Sequence, residues 1–409
     1  MGKRASDPDE MTYTGTMFSF VTAGESHGPA LVTIVDGLPA NLEVGTDFID
    51  RELTRRQAGF GRGGRMRIES DRVRILSGVR HGRTLGSPVA MTIENRDWKN
   101  WEDVMSPGVV SNEVAAKRRV TRPRPGHADL VGSQKFDQSD ARNILERSSA
   151  RETTARVAAG ALAKLFLQAF GIEILSHTTA IGAVRLPDGF RVSWEQLESA
   201  RDDAVVRCVL GEYSARMVAE IERAQQEGDT LGGTFEVVVR NPPVGLGSHT
   251  SWDRRLDGRL AQAVMSINAV KAVEIGDGVR AVSDRGSAVH DEIAFDSGTG
   301  RFRRLSNRAG GLEGGMSNGE EIRVVGYLKP IPTLRKALRS VDMVSKEPFL
   351  AAHERSDTCV VPAAGVIGEA MVAHVLAQDV LGKFGGDSMV ETLRNYSGYV
   401  EQLSRFPPG

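Results

Sequence analysis

Phe18-Ser-Phe-Val-Thr22 and Ala30-Leu-Val-Thr-Ile-Val35 alternate in the way of strands with one buried face, and Gly24-Glu-Ser-His-Gly-Pro29 between them reads as a turn. Ser26 and His27 are thereby placed at a strand end. From Asp47 to Arg56 the period changes, with Phe48, Ile49 and Leu53 on one side of a helix that gives way to the flexible composition of Gly59-Phe-Gly-Arg-Gly-Gly64. The strongest helical signal runs from about Asp140 to Phe170, where alanines and Leu162, Leu165, Phe166 and Phe170 recur at helical spacing and Gly171 supplies a stop. Arg147-Ser-Ser-Ala-Arg151 lies inside this helix or at a break near its start. Two hydroxyls in mid-helix add little stability, so a ligand-facing turn is favoured over a polar helix face.

Further along, the spacing predicts a helix over 214–227, a strand over Thr234 to Arg240 and a helix from about Arg254 to Val273. Gly310-Gly-Leu-Glu-Gly-Gly-Met-Ser-Asn-Gly319 reads as irregular, of the kind that lets backbone approach a ligand closely. A strand over Ile322 to Leu328 leads into Lys329-Pro-Ile-Pro-Thr333, and a final helix spans 363–379. Residues 1–16 are polar and read as a disordered extension, and 401–409 as a flexible tail. No repeat and no low-complexity linker divides what remains, so 17–400 is expected to form one large domain of mixed α and β structure.

The chain has 409 residues, 40% hydrophobic and 26% charged, enough to bury a sizeable core. No run of 18 apolar residues occurs, and Met1-Gly-Lys-Arg-Ala-Ser-Asp-Pro-Asp-Glu10 lacks the apolar segment of a secretory signal, so a cytoplasmic protein with no membrane association is expected. Cys208 and Cys359 are read as buried, reduced thiols. The eight histidines form no pair at ligand spacing, and no metal is expected.

Charge changes the picture more. A formal net of −1 conceals ten arginines in residues 51–83 against Glu52, Glu69 and Asp71, and Lys117, Arg118, Arg119, Arg122 and Arg124 within eight residues free of acid. A near-neutral chain that gathers arginine in two segments suits a focused site for small polyanions better than a broad nucleic-acid face, although arginines coating exposed faces would give the same count. Aromatic residues, 6% of the chain, are missing from Gly61-Arg-Gly-Gly-Arg65 and from the basic run 117–124, which counts against single-strand binding. In Arg122-Pro-Arg-Pro-Gly-His-Ala-Asp129 the prolines hold Arg122 and Arg124 in extended backbone, so guanidiniums and His127 are carried on a stiff loop. Gly59-x-Gly61-x-x-Gly64 matches a dinucleotide fingerprint in letters, but a helix precedes it where a strand is required. No P-loop occurs, and no serine-nucleophile elbow is read.

Gly24-Glu-Ser-His-Gly28, Glu146-Arg-Ser-Ser-Ala-Arg-Glu-Thr153 and Arg355-Ser-Asp-Thr-Cys359 together resemble the three signature segments of chorismate synthases, in the right order, over a stretch from about Phe18 to Phe384-Gly-Gly-Asp387. The resemblance implies an α+β fold in a single large domain, an α-helical layer sandwiched between antiparallel sheets, and a homotetramer. It implies elimination of phosphate from 5-enolpyruvylshikimate 3-phosphate to give chorismate, with reduced FMN required and no net redox change. Carried over by position, His27 resembles the histidine near the substrate phosphate, His127 the one beside the flavin, and Asp357 an acid in proton relay; Ser26 and Ser149 match hydrogen-bond relays. Arg56, Arg62, Arg65, Arg124, Arg151 and Arg355 fall at substrate-binding positions, Arg56 and Arg62 also at NADPH positions. FMN contacts are implied for Arg147, Ser148, Ser149, Asn268, Ala269, Gly314, Lys329, Pro330, Ile331, Pro332, Thr333 and Arg355. NADPH as reductant and an external flavin reductase remain alternatives. Leu145-Glu146 stands where many relatives carry glycines, and Thr358 where proline is commoner. Rival readings are a nucleic-acid binder and an inactive flavin-storage protein.

Overall fold

A computed structural model describes residues 18–63, 70–298, 300–351 and 357–407. The extension expected over 1–16, Arg65 and Arg355 lie outside the described residues. Strand β1 (Ser19–Ala23) pairs antiparallel with β2 (Ala30–Asp36), and β4 (Val89–Glu94) pairs antiparallel with both β2 and β3 (Val73–Ile75), giving the order β1-β2-β4-β3. Leu31 and Val35 of β2 and Val89, Met91 and Ile93 of β4 point inward while Ile34 is exposed, the alternation of a half-buried sheet.

A second antiparallel sheet has the order β8-β9-β7-β5-β6, built from β5 (Glu173–Ile181), β6 (Val184–Arg185), β7 (Gly233–Arg240), β8 (Val270–Ile275) and β9 (Ile322–Leu328). Strand β7 is buried on both faces. Phe235, Val237 and Val239 join the main core, and Val238 packs on the other side with Leu175, Val192, Trp194 and Leu197.

Helices α1 (Thr46–Gln57), α2 (Arg142–Ser148), α3 (Thr153–Gln168), α4 (Leu256–Met265), α5 (Val361–Phe384) and α6 (Met389–Ser404) are the ones that frame the site or the core. Helix α3 packs on β1, β2 and β4, α5 packs on β5 and β7, and the two helices pack on each other. At their crossing a Cβ on Gly160 would lie 2.3 Å from that of Ala370, so the approach requires glycine. Helix α5 is long and apolar enough by composition to cross a membrane, yet 78% of that window is buried here, which makes it the central helix of the core. Beside it, Glu369 accepts two bonds from Arg55 (both 2.8 Å), one from Ser176 Oγ (2.7 Å) and one from Lys164, while Glu52 binds Arg55 (2.9 Å) and Lys164 (2.7 Å). Two cations and two carboxylates thus neutralise each other inside the helical layer.

Several elements depart from the sequence reading. The helix expected over Asp140–Phe170 is two helices, α2 and α3, joined by the 3-10 turn Ala150–Glu152. The helix expected to reach Val273 stops at Met265; Ala269 adopts φ 69° and β8 begins at Val270. The glycine-dense stretch is partly regular, since Leu312–Glu313 and Met316–Ser317 pair as a small hairpin across Gly314 and Gly315, at φ 58° and 82°. The helix expected over 363–379 runs Val361–Phe384 and is followed by α6, which reaches Ser404, so residues 401–404 are helical.

Candidate active site

The break between α2 and α3 is where the site begins. Ser149 is extended (φ −62°, ψ 142°), and its Oγ accepts the Arg151 N–H at 3.3 Å, starting the 3-10 turn that aims Ser148, Ser149, Ala150 and Arg151 into a cavity of about 940 Å³. Ser26 and His27 enter from the loop joining β1 to β2; Ser26 Oγ donates to Ser149 Oγ at 3.1 Å. That loop, Gly24–Gly28, does spell Gly-x-Ser-x-Gly, but it joins two antiparallel strands and so makes no nucleophile elbow.

His27 is held on two sides. Its Nδ1 lies 2.8 Å from Glu146 Oε1, and its ring stacks on Trp101 with centroids 3.8 Å apart and planes at 26°. The Glu146 carboxyl sits below the usual range: burial alone would raise it, but the hydrogen bonds and charge of His27, with Arg142 behind, outweigh burial. His127 has a similar backing. Its Nδ1 is 2.5 Å from Asp129 Oδ1, and Asp129 also takes Arg124 through Nε (2.8 Å) and Nη2 (3.0 Å). Asp129 too is held well below the usual range, its burial outweighed by His127 and Arg124. Arg124 Nη1 goes on to Thr333 Oγ1 at 2.9 Å, so the stiff Arg-Pro-Arg-Pro loop turns Arg124 inward onto a carboxylate.

The arginines that line the cavity are crowded. Arg56 bonds Thr153 Oγ1 (3.0 Å) and the Ala150 carbonyl (2.8 Å), and Arg151 bonds Asp71 (2.6 Å) and Asn95 (2.9 Å). Burial pushes Arg56 down to about 9; Asp71 opposes that shift, and neighbouring Arg62 and Arg151 add to it. Among the described residues, Arg56 Nη1 and Ser148 Oγ are buried without a hydrogen-bond partner. Arg62 pairs with Asp357 at 3.2 Å, and Asp357 also accepts the Gly63 N–H at 2.5 Å, tying the glycine loop after α1 to the segment before α5. On the far side, Lys329 Nζ donates to the Gly126 carbonyl (2.6 Å), the Lys329 N–H to the Ala269 carbonyl (3.0 Å) and Asn268 to the Ser148 carbonyl (3.2 Å).

Of the residues singled out from sequence, Ser26, His27, Arg56, Arg62, Arg124, His127, Ser148, Ser149, Arg151, Asn268, Ala269, Lys329, Ile331, Pro332, Thr333 and Asp357 line this one cavity. Three do not. Arg147 turns away to the Thr22 carbonyl (2.8 Å) and hydroxyl, Pro330 is exposed, and Gly314 lies in the small hairpin beside His249. Arg118, from the basic run read as a polyanion site, also lines it; sequence reasoning missed Asp97, Asn100, Trp101 and Lys271 in the lining, and the part played by the carboxylates Asp71, Asp129 and Glu146 behind it. The cluster Arg96-Asp-Trp-Lys-Asn-Trp101, with two of the four tryptophans, was a readable signal. Among the described residues, seven lysines and arginines line the cavity against Asp97 and Asp357, the balance of a site for anions.

The family model described as chorismate synthase matches residues 18–381. Curated relatives described as chorismate synthase include one from Solibacter usitatus, 55% identical over 392 residues (95% of this chain, all of that one). Another, from Thermobifida fusca, is 55% identical over 393 residues (95% and 99%). A crystal structure of chorismate synthase superposes with a TM-score of 0.77 at 42% identity, covering 95% of this chain and 99% of the other. Family model, relatives and solved structure agree with the three signature segments: the chain belongs to the chorismate synthase family.

Proposed function

We propose that the arginine-lined cavity is where this chain performs the reaction of its family, elimination of phosphate from 5-enolpyruvylshikimate 3-phosphate to give chorismate, with reduced FMN bound beside the substrate. The lyase reaction and its place in aromatic amino acid biosynthesis follow from family membership. One observation carries the assignment to this cavity: cationic side chains outnumber the acids in its lining, and Arg56 Nη1 and Ser148 Oγ are buried there without a hydrogen-bond partner among the described residues. Such groups are costly unless an anion completes them, and each charge-assisted bond returns roughly 1.5–3 kcal/mol. The donor set suits phosphate and carboxylate, and about 940 Å³ lies at the upper end of the roughly 300–1,000 Å³ of small-molecule sites, which suits two ligands.

Reduced FMN, when bound, would supply a transient electron for the loss of phosphate and an acceptor for the ring hydrogen, which no adjacent carbonyl acidifies. The chain's own residues do the rest. His27, carboxylate-backed, neutralises or protonates the departing phosphate. His127, on Asp129, serves the flavin side, with Asp357 and the Ser26–Ser149 pair relaying protons. Arg56, Arg62 and Arg151, with Arg65 and Arg355, take the substrate's phosphate and carboxylates; Arg124 acts mainly by fixing Asp129 and Thr333. Ser148, Ser149, Asn268, Ala269, Lys329, Ile331, Pro332 and Thr333 would hold the flavin. Arg147, Pro330 and Gly314, which face elsewhere in one chain, would take part only through rearrangement or a neighbouring subunit of a homotetramer. The layering of α3 and α5 between the two sheets is read as the family's sandwich, 17–400 as one catalytic domain, and the compartment as the cytoplasm. For NADPH, Arg56 is only 3% exposed, so it can meet a dinucleotide only inside the cavity, which favours supply of reduced flavin by a separate reductase.

Anaerobic incubation of the purified chain with chemically reduced FMN and the enolpyruvyl phosphate should release chorismate and phosphate in equal amounts. Flavin binding without turnover would instead support a storage role. Oxidised FMN with NADPH should give no turnover, and turnover there would establish self-sufficiency.

A further inference from the structure

Glu146 has no role in the assignments above, yet it grips His27 three ways. Its Oε2 accepts the His27 backbone N–H at 2.8 Å, and ring Nδ1 lies 2.8 Å from Oε1 and 3.0 Å from Oε2. Its own carbonyl accepts the Ser26 N–H at 3.0 Å, so the last turn of α2 pins the loop between β1 and β2. Trp101 covers one ring face at 3.8 Å; the Arg118 guanidinium lies 3.9 Å from the Trp101 centroid, and that of Arg142, 3.4 Å from Glu146 Oε1, lies at 5.1 Å.

An ionised carboxylate can only accept, so the His27 nitrogen facing it must carry a proton. With Nδ1–H committed, Nε2 is the atom left to gain or give a proton, and the stacked indole fixes the plane in which it does so. We propose that Glu146 and Trp101 are positioning residues for His27, Glu146 setting the Nδ1–H tautomer and Trp101 the ring plane, so that Nε2 is presented to the leaving phosphate. This rests on the assignment of His27 to the phosphate side. The logic is that of a carboxylate behind a catalytic imidazole, where loss of the acid leaves the ring in place with its proton on the wrong nitrogen.

The test is a double-mutant cycle in the anaerobic assay, joined to ¹⁵N NMR of ring-labelled histidine in the full-length protein. Glu146→Gln should lower kcat about 10²-fold with KM within about twofold, and Trp101→Leu should lower kcat by about tenfold. In a His27→Ala background neither change should cost anything further, because both act through that ring. A merely structural role would lower activity in both backgrounds alike. The wild-type spectrum should show His27 protonated on Nδ1, a signal that Glu146→Gln abolishes. Multiplying losses in the double variants, or a neutral Nε2–H tautomer in the wild type, would overturn the proposal. If the wild type turns nothing over with reduced FMN, the functional reading fails instead, and the tautomer still decides the Glu146–His27 pairing.

Discussion

Arg56 shows what a guanidinium does here that an ammonium could not. Its Nε and Nη2 are spent on Thr153 and Ala150, and Nη1 remains for a ligand, 3.8 Å from the Asp71 carboxylate. Lysine would keep the charge but could not hold three directions at once. Arg56→Lys should therefore raise KM for the enolpyruvyl phosphate by about 10- to 100-fold, the loss of one charge-assisted bond, with a smaller effect on kcat. Unchanged steady-state kinetics would remove Arg56 from the substrate contacts. Residue types at this scale were readable from the signature segments, but partners were not. Arg147 and Arg151 sit in one motif, four residues apart, and face opposite ways because Ser149 breaks the helix between them. Arg124 meets a carboxylate five residues on, a pairing that linear spacing does not announce. Glu146 stood in the quoted motif, but nothing in the sequence says that a strand-end histidine 119 positions earlier folds onto it.

Elements fared according to whether their signals were local. Strand Ile322–Leu328 has the bounds that its pattern gives, and α1 differs by one residue at each end. The alanine-rich stretch after Asp140 looked continuous because propensity cannot weigh a serine hydroxyl capping the next turn; of the turn expected at Arg147–Arg151, that cap brings Ser148–Arg151 to the cavity and leaves Arg147 facing Thr22. Helix α4 ends at Met265, and the chain turns into β8 through Ala269 in a left-handed conformation, with no glycine or proline to announce either. The α3–α5 contact was equally hidden, since it depends on Gly160 having no Cβ. Gly160→Ala should lose about 1–2 kcal/mol in urea unfolding, because overpacking against Ala370 outweighs the gain in helix propensity. Gly398, exposed in mid-α6 with nothing within 4 Å of a built Cβ, is the control: Gly398→Ala should gain about 0.5–1 kcal/mol. Equal signs for the two substitutions would contradict the close crossing.

Over the whole molecule the near-zero net charge is misleading, because ionised groups have been drawn inward. Arg55, Arg56, Arg124, Arg142, Arg151, Arg207 and Arg323 are buried, and Asp129, Glu146, Glu236 and Glu369 are held below the carboxylate range by the cations and histidines around them. These acids bind protons more readily in the unfolded chain, so their contribution is full above about pH 4.5 and fades as pH falls below it. His374 extends the acid sensitivity upward. It lies against the rings of Phe18 and Phe20, its Nδ1 has no partner among the described residues, and burial, with Arg259 nearby, pushes it down to about 4. Unfolded, it titrates near 6.5. Between pH 6.5 and 4 the unfolded chain therefore takes up a proton that the folded one refuses, and stability must fall with pH across that window by about 2–3 kcal/mol from this group alone. His374→Gln, neutral throughout, should give a urea midpoint that changes less between pH 7 and 5 than that of the wild type. Parallel midpoint curves for the two proteins would show that the ring protonates in place, and that the aromatic pocket does not exclude its charge.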